Sequence, residues 1–575
     1  MRGRRDVMRG SSCRCFHLLN ATCNTIYRSA QCRSRLSTTL LENSIESALD
    51  EMELFRQTHV HTFDDRKLQP LAAHERIDVV MKAIEEWYLD TRASDRLSLS
   101  EPWLWYSKAR SMRRSFVFHY GPTNSGKTHD ALDALVSAKN GVYCAPLKAL
   151  ATQVFYNIQN RGVSCDLLIG DERKFGGSAE HVSCTVEMTP LDFQVDIGVI
   201  DEVQLIGDRD RGWAWTRALL GLPARQIHLC GEARALPLIK KLLSLTGEIK
   251  RLQCVEHKRL VPLVLTPSLD SQLSRLDNGD CVVCFSKKAV LDNYHRLKTI
   301  PDVYPHVVYG ALPFRVRERQ GQAFNDGVMS SSGKKHVLIS TDAIAYGLNM
   351  NIRRVILTTV RKFDGRSTVE IPHATTLQII GRAGRFGHAF STKGFATTLH
   401  SKDYWFLKRC IDQPVDDLTT AGVLPTADII ILYARLLERR GHPVEGLHSL
   451  LTSLLQEMKL PGLLFLCDLT RSLMRTAECL DTVEGLTLPD KVVFSFVPLS
   501  DNSHATMQLL RQYATHHARG EKVPLHLDRA SDHEWVYKMC EAYCWLGWRF
   551  RQTFCFIAEG EMLKDTVSRS IGDSI

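Results

Sequence analysis

FVFHYGPTNSGKTHDALDAL, residues 116–135, is the stretch on which the reading of this chain turns. A β-like run, residues 116–120, leads into Gly121-Pro122-Thr123-Asn124-Ser125-Gly126-Lys127-Thr128 and then into a helical stretch, His129–Ala138. The octapeptide fits GxxxxGK[ST], and strand before with helix after is the context that pattern needs. Glycines let the backbone curl so that its N–H groups face phosphate oxygens, and the following helix presents its positive end to the same anion. Lys127 is expected to reach the β- and γ-phosphates of ATP, and Thr128 to ligate Mg²⁺.

Two further pieces fit around this one. Asp201-Glu202-Val203-Gln204 follows the apolar run 197–200. A carboxylate at the C-terminal end of a strand in an α/β sheet points into the ligand crevice. Asp201 is therefore expected to hold Mg²⁺, and Glu202 to act as general base toward water. Gln378-Ile-Ile-Gly-Arg382-Ala-Gly-Arg385 places two arginines three apart, on one face of a helix or tight turn. Arginine suits bidentate phosphate contact. Because this segment lies far from residue 127, the reading has the triphosphate sandwiched between two domains, with Arg382 and Arg385 as fingers.

Strand-like and helical runs alternate on either side. The first series is residues 116–120, 141–146, 165–170, 196–202 and 226–232; the second is 280–285, 306–310, 336–341, 354–360 and 394–399. Such alternation predicts parallel sheets flanked by helices, hence an α/β fold with two successive units. The expected layout is a leader at 1–40, an N-terminal helical segment at 41–110, α/β units at 111–260 and 261–405, a helical module at 406–488, and a last domain at 489–575. Within the last, residues 492–498 read as a short β-like run among helices.

The 575 residues are 44% hydrophobic and 24% charged, enough for sizeable cores, and the net charge of +9 suits an anionic partner. The 17 cysteines are odd in number and scattered, which fits reduced thiols better than a disulfide framework. Cys281 and Cys284 have CxxC spacing but sit in a strand-like run with no second pair, so a buried strand is expected. No apolar run reaches the roughly 18 residues of a membrane span. Residues 1–40 carry eight arginines, no lysine and the single acid Asp6. That composition resembles a mitochondrial transit peptide, with a basic nucleic-acid-binding arm as the alternative. Trp213, Trp215, Trp545 and Trp548 are expected to pack in cores, and His516 and His517 to lie at the surface.

Together the boxes resemble superfamily-two helicases. Longer strings, GPTNSGKT, YCAPLKALA, HVSCTVEM, RGWAWTRALLG, DCVVCFSK, VVYGALP, STDAIAYGLNMNIRRVI and QIIGRAGRFG, resemble the mitochondrial degradosome RNA helicase family of the suppressor-of-var type. The resemblance covers roughly residues 75–575. It implies tandem RecA-like motor domains followed by mostly helical modules. It implies ATP-dependent unwinding of RNA duplexes with 3′-to-5′ polarity in the mitochondrial matrix, and a 3′-to-5′ exoribonuclease as partner. Position by position, it implies the phosphate loop at residues 121–128 and the Mg²⁺ and water-activating box at Asp201, Glu202 and Gln204. Gly231 and Glu232 would couple hydrolysis to closure. RNA contacts would fall at Pro146, Lys148, Thr185, Ser286, Lys287 and Thr341, with Gly347 facing nucleotide and Gln378, Arg382 and Arg385 as the finger motif. Lys148 and Lys287 could equally be solvated surface lysines. Such contacts go to backbone phosphate and 2′-OH, so weak sequence preference is expected.

The chain departs from the family at Ala345-Tyr346, usually Gly-Met, and at Ala233-Arg234, usually Pro-Ala; the second puts coupling efficiency in question. It also ends at Ile575 without the polar tail of some members, so partner contacts of that tail are expected to be missing. The motor boxes do not separate an RNA helicase from a translocase on DNA or hybrid duplexes. A third reading, a nucleotide-gated scaffold without turnover, is disfavoured by Glu202, Arg382 and Arg385.

Overall fold

The computed structural model describes residues 97–574 apart from 171, 175–179, 332, 346–348, 364–366, 385–389, 391, 500–502, 526 and 528–531. The expected leader, most of the N-terminal helical segment, Tyr346, Gly347 and Arg385 thus lie outside the described residues. The chain forms two compact units, residues 99–427 with 445–575, and residues 1–98 with 428–444. The described part of the smaller unit lies mostly in one helix, Ala427–Arg439, with Ile429, Ile430, Leu432, Tyr433 and Ala434 buried.

The larger unit contains two parallel sheets. The first holds β1 (Ser115–Tyr120), β2 (Gly141–Ala145), β3 (Cys165–Ile169), β4 (Glu172–Lys174), β5 (His181–Thr185), β6 (Val195–Ile200), β7 (Ala224–Gly231) and β8 (Leu252–Glu256), in the order β4-β3-β5-β2-β6-β7-β1-β8. Only the β3–β4 pair is antiparallel. Strands covered on both faces should read as continuous apolar runs, and β2 and β5 are buried at every position. The chain leaves β1, passes β7 and β6, and re-enters the sheet as β2. That crossover opens a crevice at the carboxyl ends of the strands, where α/β sheets bind ligands.

The second sheet has the order β11-β12-β10-β13-β16-β9 and is parallel throughout. Its strands are β9 (Leu263–Leu265), β10 (Asp280–Val283), β11 (Val303–Val308), β12 (Lys335–Ser340), β13 (Arg354–Leu357) and β16 (Gly394–Thr398); β14 (Arg361–Phe363) and β15 (Thr368–Glu370) form a separate antiparallel pair. Cys281 and Cys284 are fully buried here, as expected of a core strand. These are two RecA-like lobes, each with its own core on the sheet faces.

Beyond residue 400 the described chain is largely helical, with one short parallel pair, β17 (Ala421–Val423) and β18 (Leu464–Leu466). Residues 488–495 correct the β-like reading of VVFSFVP: they form a helix. Thr487 caps it by accepting from the Asp490 N–H, and a proline sits in its first turn, two local signals that override the β-branched run. His517 corrects another expectation. Its side chain is only 14% exposed, its Nδ1 lies 2.7 Å from Thr553 Oγ1, and its ring packs 4.2 Å from that of Phe550. His516 is half-exposed beside Glu521.

The terminal helices His533–Gly547 and Ile557–Asp573 close the core of the second lobe with Val536, Tyr537, Cys540, Val567 and Ile571. The same region touches the first lobe. Trp545 lies 3.5 Å from the position a Cβ on Gly170 would take, and Arg173 sits over the Trp548 ring. At the other end, Gly212 and Gly422 pack backbone to backbone, and a Cβ on Gly212 would meet the Ile206 carbonyl oxygen at 2.5 Å.

Candidate nucleotide site and nucleic-acid face

The phosphate loop joins β1 to the Lys127–Ser137 helix. Asn124 and Gly126 take positive φ, 63° and 83°, so the loop folds back on itself. Gly121 donates its N–H to the Gly231 carbonyl at 3.0 Å, and a Cβ there would meet the His257 carbonyl oxygen at 2.2 Å, so only glycine fits the loop's root. Lys127 is buried and donates to the Pro122 carbonyl at 3.1 Å. The Ser125 hydroxyl is buried without a hydrogen-bond partner. A buried polar atom is ordinarily paired, so this orphan inside the loop fits a phosphate oxygen.

Asp201 directly follows β6 at the same crevice. Its Oδ1 accepts from Thr128 Oγ1 at 3.2 Å and its Oδ2 from Tyr143 OH at 2.9 Å. Burial, with the Glu202 charge second, raises its carboxyl to about 6 against the opposing pull of the Tyr143 hydrogen bond and Lys127. A buried carboxylate short of positive charge, next to a hydroxyl, suits Mg²⁺. Glu202 has φ 51°, turning its side chain away from the strand direction, and Gln204 donates to its carboxylate. The Trp215 indole, fully buried, donates to the Asp201 carbonyl at 2.9 Å and fixes that turn. Trp213 is half-buried on the same helix; Trp545 is buried, and Trp548 is half-buried.

The second lobe reaches this crevice through the His373–Ile380 helix and the turn after it. Thr123 Oγ1 donates to Gln378 Oε1 at 3.1 Å, and Asn124 Nδ2 to the Gly384 carbonyl at 2.8 Å. Gln378 Nε2 donates to Glu232, whose other oxygen pairs with Arg234. The unusual Arg234 therefore neutralises the carboxylate that Gln378 engages. Gly381 allows the approach: a Cβ there would meet Thr123 Cβ at 2.9 Å. Arg382 Nε donates to the Ala345 carbonyl at 2.8 Å, within its own lobe.

Sequence reasoning missed Arg259, in the connection between the sheets. Its guanidinium donates to the carbonyls of Thr123 (2.9 Å), Gly381 (3.0 Å) and Ala383 (2.7 Å), and to Val261 at 2.7 Å. Burial lowers it to about 10, so it remains charged at neutral pH. Only a planar five-donor fork serves carbonyls on two loops at once. Nothing in its sequence context marks it out from a linker cation.

The expected RNA positions gather in two places. Ala145, one residue before Pro146, pairs with Thr185 across β2–β5. Ser286 and Thr341 follow the neighbouring strands β10 and β12. All four lie at carboxyl ends of strands. Ser286 caps the Lys287–Lys298 helix by accepting from the Ala289 N–H, the Thr341 hydroxyl accepts from the Ala343 N–H, and Arg211 holds the Pro146 carbonyl while pairing with Glu187. Both lysines are engaged by one helix of the C-terminal region, His533–Gly547. Lys148 pairs with Glu541 at 2.8 Å and Lys287 with Glu534 at 2.6 Å. Glu541 also pairs with Lys538, and Glu534 also accepts from Tyr309.

Comparison with known proteins matches four successive stretches of the chain. Residues 102–254 match the DEXQ-box helicase domain of Suv3, residues 265–387 the helicase conserved C-terminal domain, residues 475–518 Suv3 C-terminal domain 1, and residues 532–575 the ATP-dependent RNA helicase SUV3 C-terminal domain. The chain is 35% identical to the Arabidopsis thaliana mitochondrial DExH-box ATP-dependent RNA helicase DExH18, over 84% of this chain and 62% of that one. It is 37% identical to the Homo sapiens mitochondrial ATP-dependent RNA helicase SUPV3L1, over 78% and 58%. It thus spans about three fifths of the length of those two relatives. With the mitochondrial ATP-dependent RNA helicase SUV3 of Oryza sativa subsp. japonica it shares 34% identity over 82% of this chain and 81% of the relative. The phosphate loop and the Asp-Glu-Val-Gln box lie within the matched DEXQ-box domain, both matched C-terminal domains follow it, and the chain belongs to the SUV3 family of DEXQ-box helicases.

Proposed function

We propose that the chain is an ATP-hydrolysing, Mg²⁺-dependent RNA helicase. The observation that carries this reading is the 3.1 Å bond from Thr123 of the phosphate loop to Gln378 of the second lobe, which makes one seam of the two halves of the site. ATP with its metal supplies the transferable phosphoryl group and the divalent charge. Lys127 and Ser125 bind its phosphates, Thr128 and Asp201 hold the ion, and Glu202 takes the proton of the attacking water. Arg382 and Arg385 of the finger motif would serve the phosphates from the opposite side. Charges on both sides are satisfied together only when the lobes meet, so nucleotide state selects between closed and open clefts. RNA lies across the strand ends carrying Pro146, Lys148 and Thr185 in one lobe and Ser286, Lys287 and Thr341 in the other.

The finer reading is unwinding with 3′-to-5′ polarity in the mitochondrial matrix, coupled to a 3′-to-5′ exoribonuclease. The relatives' names support the mitochondrion, and so does the arginine-rich, acid-poor composition of residues 1–40; polarity and nuclease rest on the family resemblance. Strand displacement on RNA duplexes with 3′ or 5′ tails, and on matched DNA and hybrid duplexes, tests it. ATP-dependent displacement from 3′-tailed RNA is expected. Displacement only from 5′ tails would overturn the polarity, and equal displacement of DNA the RNA assignment.

A further inference from the structure

Just behind the phosphate loop, three imidazoles form a continuous chain. His119 lies next to last in β1, His257 directly follows β8, and His228 is on β7. His119 Nδ1 is 3.1 Å from His257 Nε2, and His119 Nε2 is 3.0 Å from His228 Nδ1. His228 Nε2 is in turn 3.1 Å from Gln226 Oε1. Asp130, in the first turn of the helix after the loop, brings Oδ2 to 3.9 Å from His257 Nδ1. One ligand atom each from His119, His257 and Asp130 lies within 4.8 Å of the others.

The direction of the chain can be worked out from its end. A carbonyl oxygen only accepts, so with Gln226 Oε1 facing His228 Nε2, that nitrogen carries a proton. A neutral imidazole carries one proton. His228 Nδ1 is then an acceptor, His119 Nε2 the donor, and His119 Nδ1 a bare lone pair. That lone pair points at His257 Nε2.

We propose that His119 Nδ1, His257 Nε2 and a carboxylate oxygen of Asp130 form a binding site for a divalent transition-metal ion, Zn²⁺ foremost. Ligand atoms of tetrahedral zinc stand roughly 3.4 Å apart, close to the spacing of the two nitrogens. Asp130 is 58% exposed and can swing to complete the set, while His257 is only 9% exposed and His119 buried. Zinc-bound imidazoles use their second nitrogen to donate outward, as His119 does to His228. Two nitrogens and one oxygen select against Mg²⁺ and Ca²⁺, which prefer all-oxygen shells. The ion would join the strand entering the phosphate loop, the helix leaving it and the start of the connection to the second lobe. This proposal is independent of the nucleotide reading.

The test uses the full chain titrated with Co²⁺ in millimolar Mg²⁺, followed by visible absorption, with displacement by Zn²⁺. One equivalent of Co²⁺ in a tetrahedral environment is expected, without a thiolate charge-transfer band and reversed by Zn²⁺. His257→Ala abolishes it, and Asp130→Asn, at an exposed position, weakens it by roughly 10–100-fold; circular dichroism verifies that both variants are folded. No absorption in the unmodified protein, a thiolate band, or unchanged affinity in either variant overturns the site.

Discussion

Lys127 has its ammonium buried inside the curl of the phosphate loop, where it donates to the Pro122 carbonyl of that same loop. Replacing it with alanine removes the one cation that the loop aims at the phosphates. Lys127→Ala is expected to lower RNA-stimulated ATP turnover by about 10²-fold or more, read as phosphate release; retained turnover would place the reaction elsewhere. The residues of this loop were legible because spacing alone dictates their chemistry. Tyr143 and Trp215 were not legible as partners of the site. Tyr143 sits in a strand and Trp215 in a helix whose compositions say only that they are buried, and their bonds to Asp201 depend on which elements become neighbours.

The helix His533–Gly547 illustrates a second kind of blindness. Glu534 and Glu541 are seven residues apart, two turns on one face, and read from sequence as ordinary acids. Their ion pairs with Lys287 and Lys148 cover the two lysines expected to meet RNA. If those carboxylates compete with phosphate, Glu534→Gln with Glu541→Gln tightens RNA binding by about two- to fivefold, the yield of partly exposed pairs. Filter binding at fixed ionic strength measures it, and weaker binding would mean that the glutamates orient the lysines instead. Strands that read as short apolar runs, such as β1, β2 and β10, were found readily. The helix at 488–495 was not, because β-branched residues and a capping threonine gave opposite signals and the cap prevailed.

A further element-level tie holds the start of β1. The Arg114 guanidinium, fully buried, binds both oxygens of Glu248 at 2.9 and 2.8 Å and the carbonyls of Leu219 and Leu222, while Arg110 and Thr246 also reach Glu248. Burial alone would raise the Glu248 carboxyl, but the hydrogen bond and charge of Arg114 outweigh it and the net shift is downward. A depressed carboxyl stabilises the fold above its unfolded value, about 4.3, and that contribution disappears as pH falls through the folded value. Glu248→Ala leaves a buried guanidinium unpaired and is expected to cost about 3–5 kcal/mol in urea unfolding at neutral pH, with the gap from the unmodified protein closing in acid. A gap that stays constant with pH would assign the loss to packing.

At the scale of the whole molecule, the two-lobed layout was readable from alternating strand and helix runs, since each sheet needs its own helices. How the lobes are joined was not, because Arg259 has no motif. Arg259→Ala strips a donor from carbonyls of Thr123, Gly381 and Ala383 together. It is expected to destabilise the protein by about 1–3 kcal/mol and to raise the KM for ATP, measured by urea unfolding and steady-state turnover. An unchanged midpoint and KM would show that both loops hold their places without it. The covalent connection itself is residues 257–262, between β8 and β9, a leash of roughly 20 Å when fully drawn out. The terminal helices belong to the second lobe's core yet grip the first lobe through Lys148, Arg173 and Gly170. A protease that severed the leash at Lys258 would therefore yield fragments that still travel as one particle, held by this clasp and by the bonds of Thr123 and Asn124 to the opposite lobe.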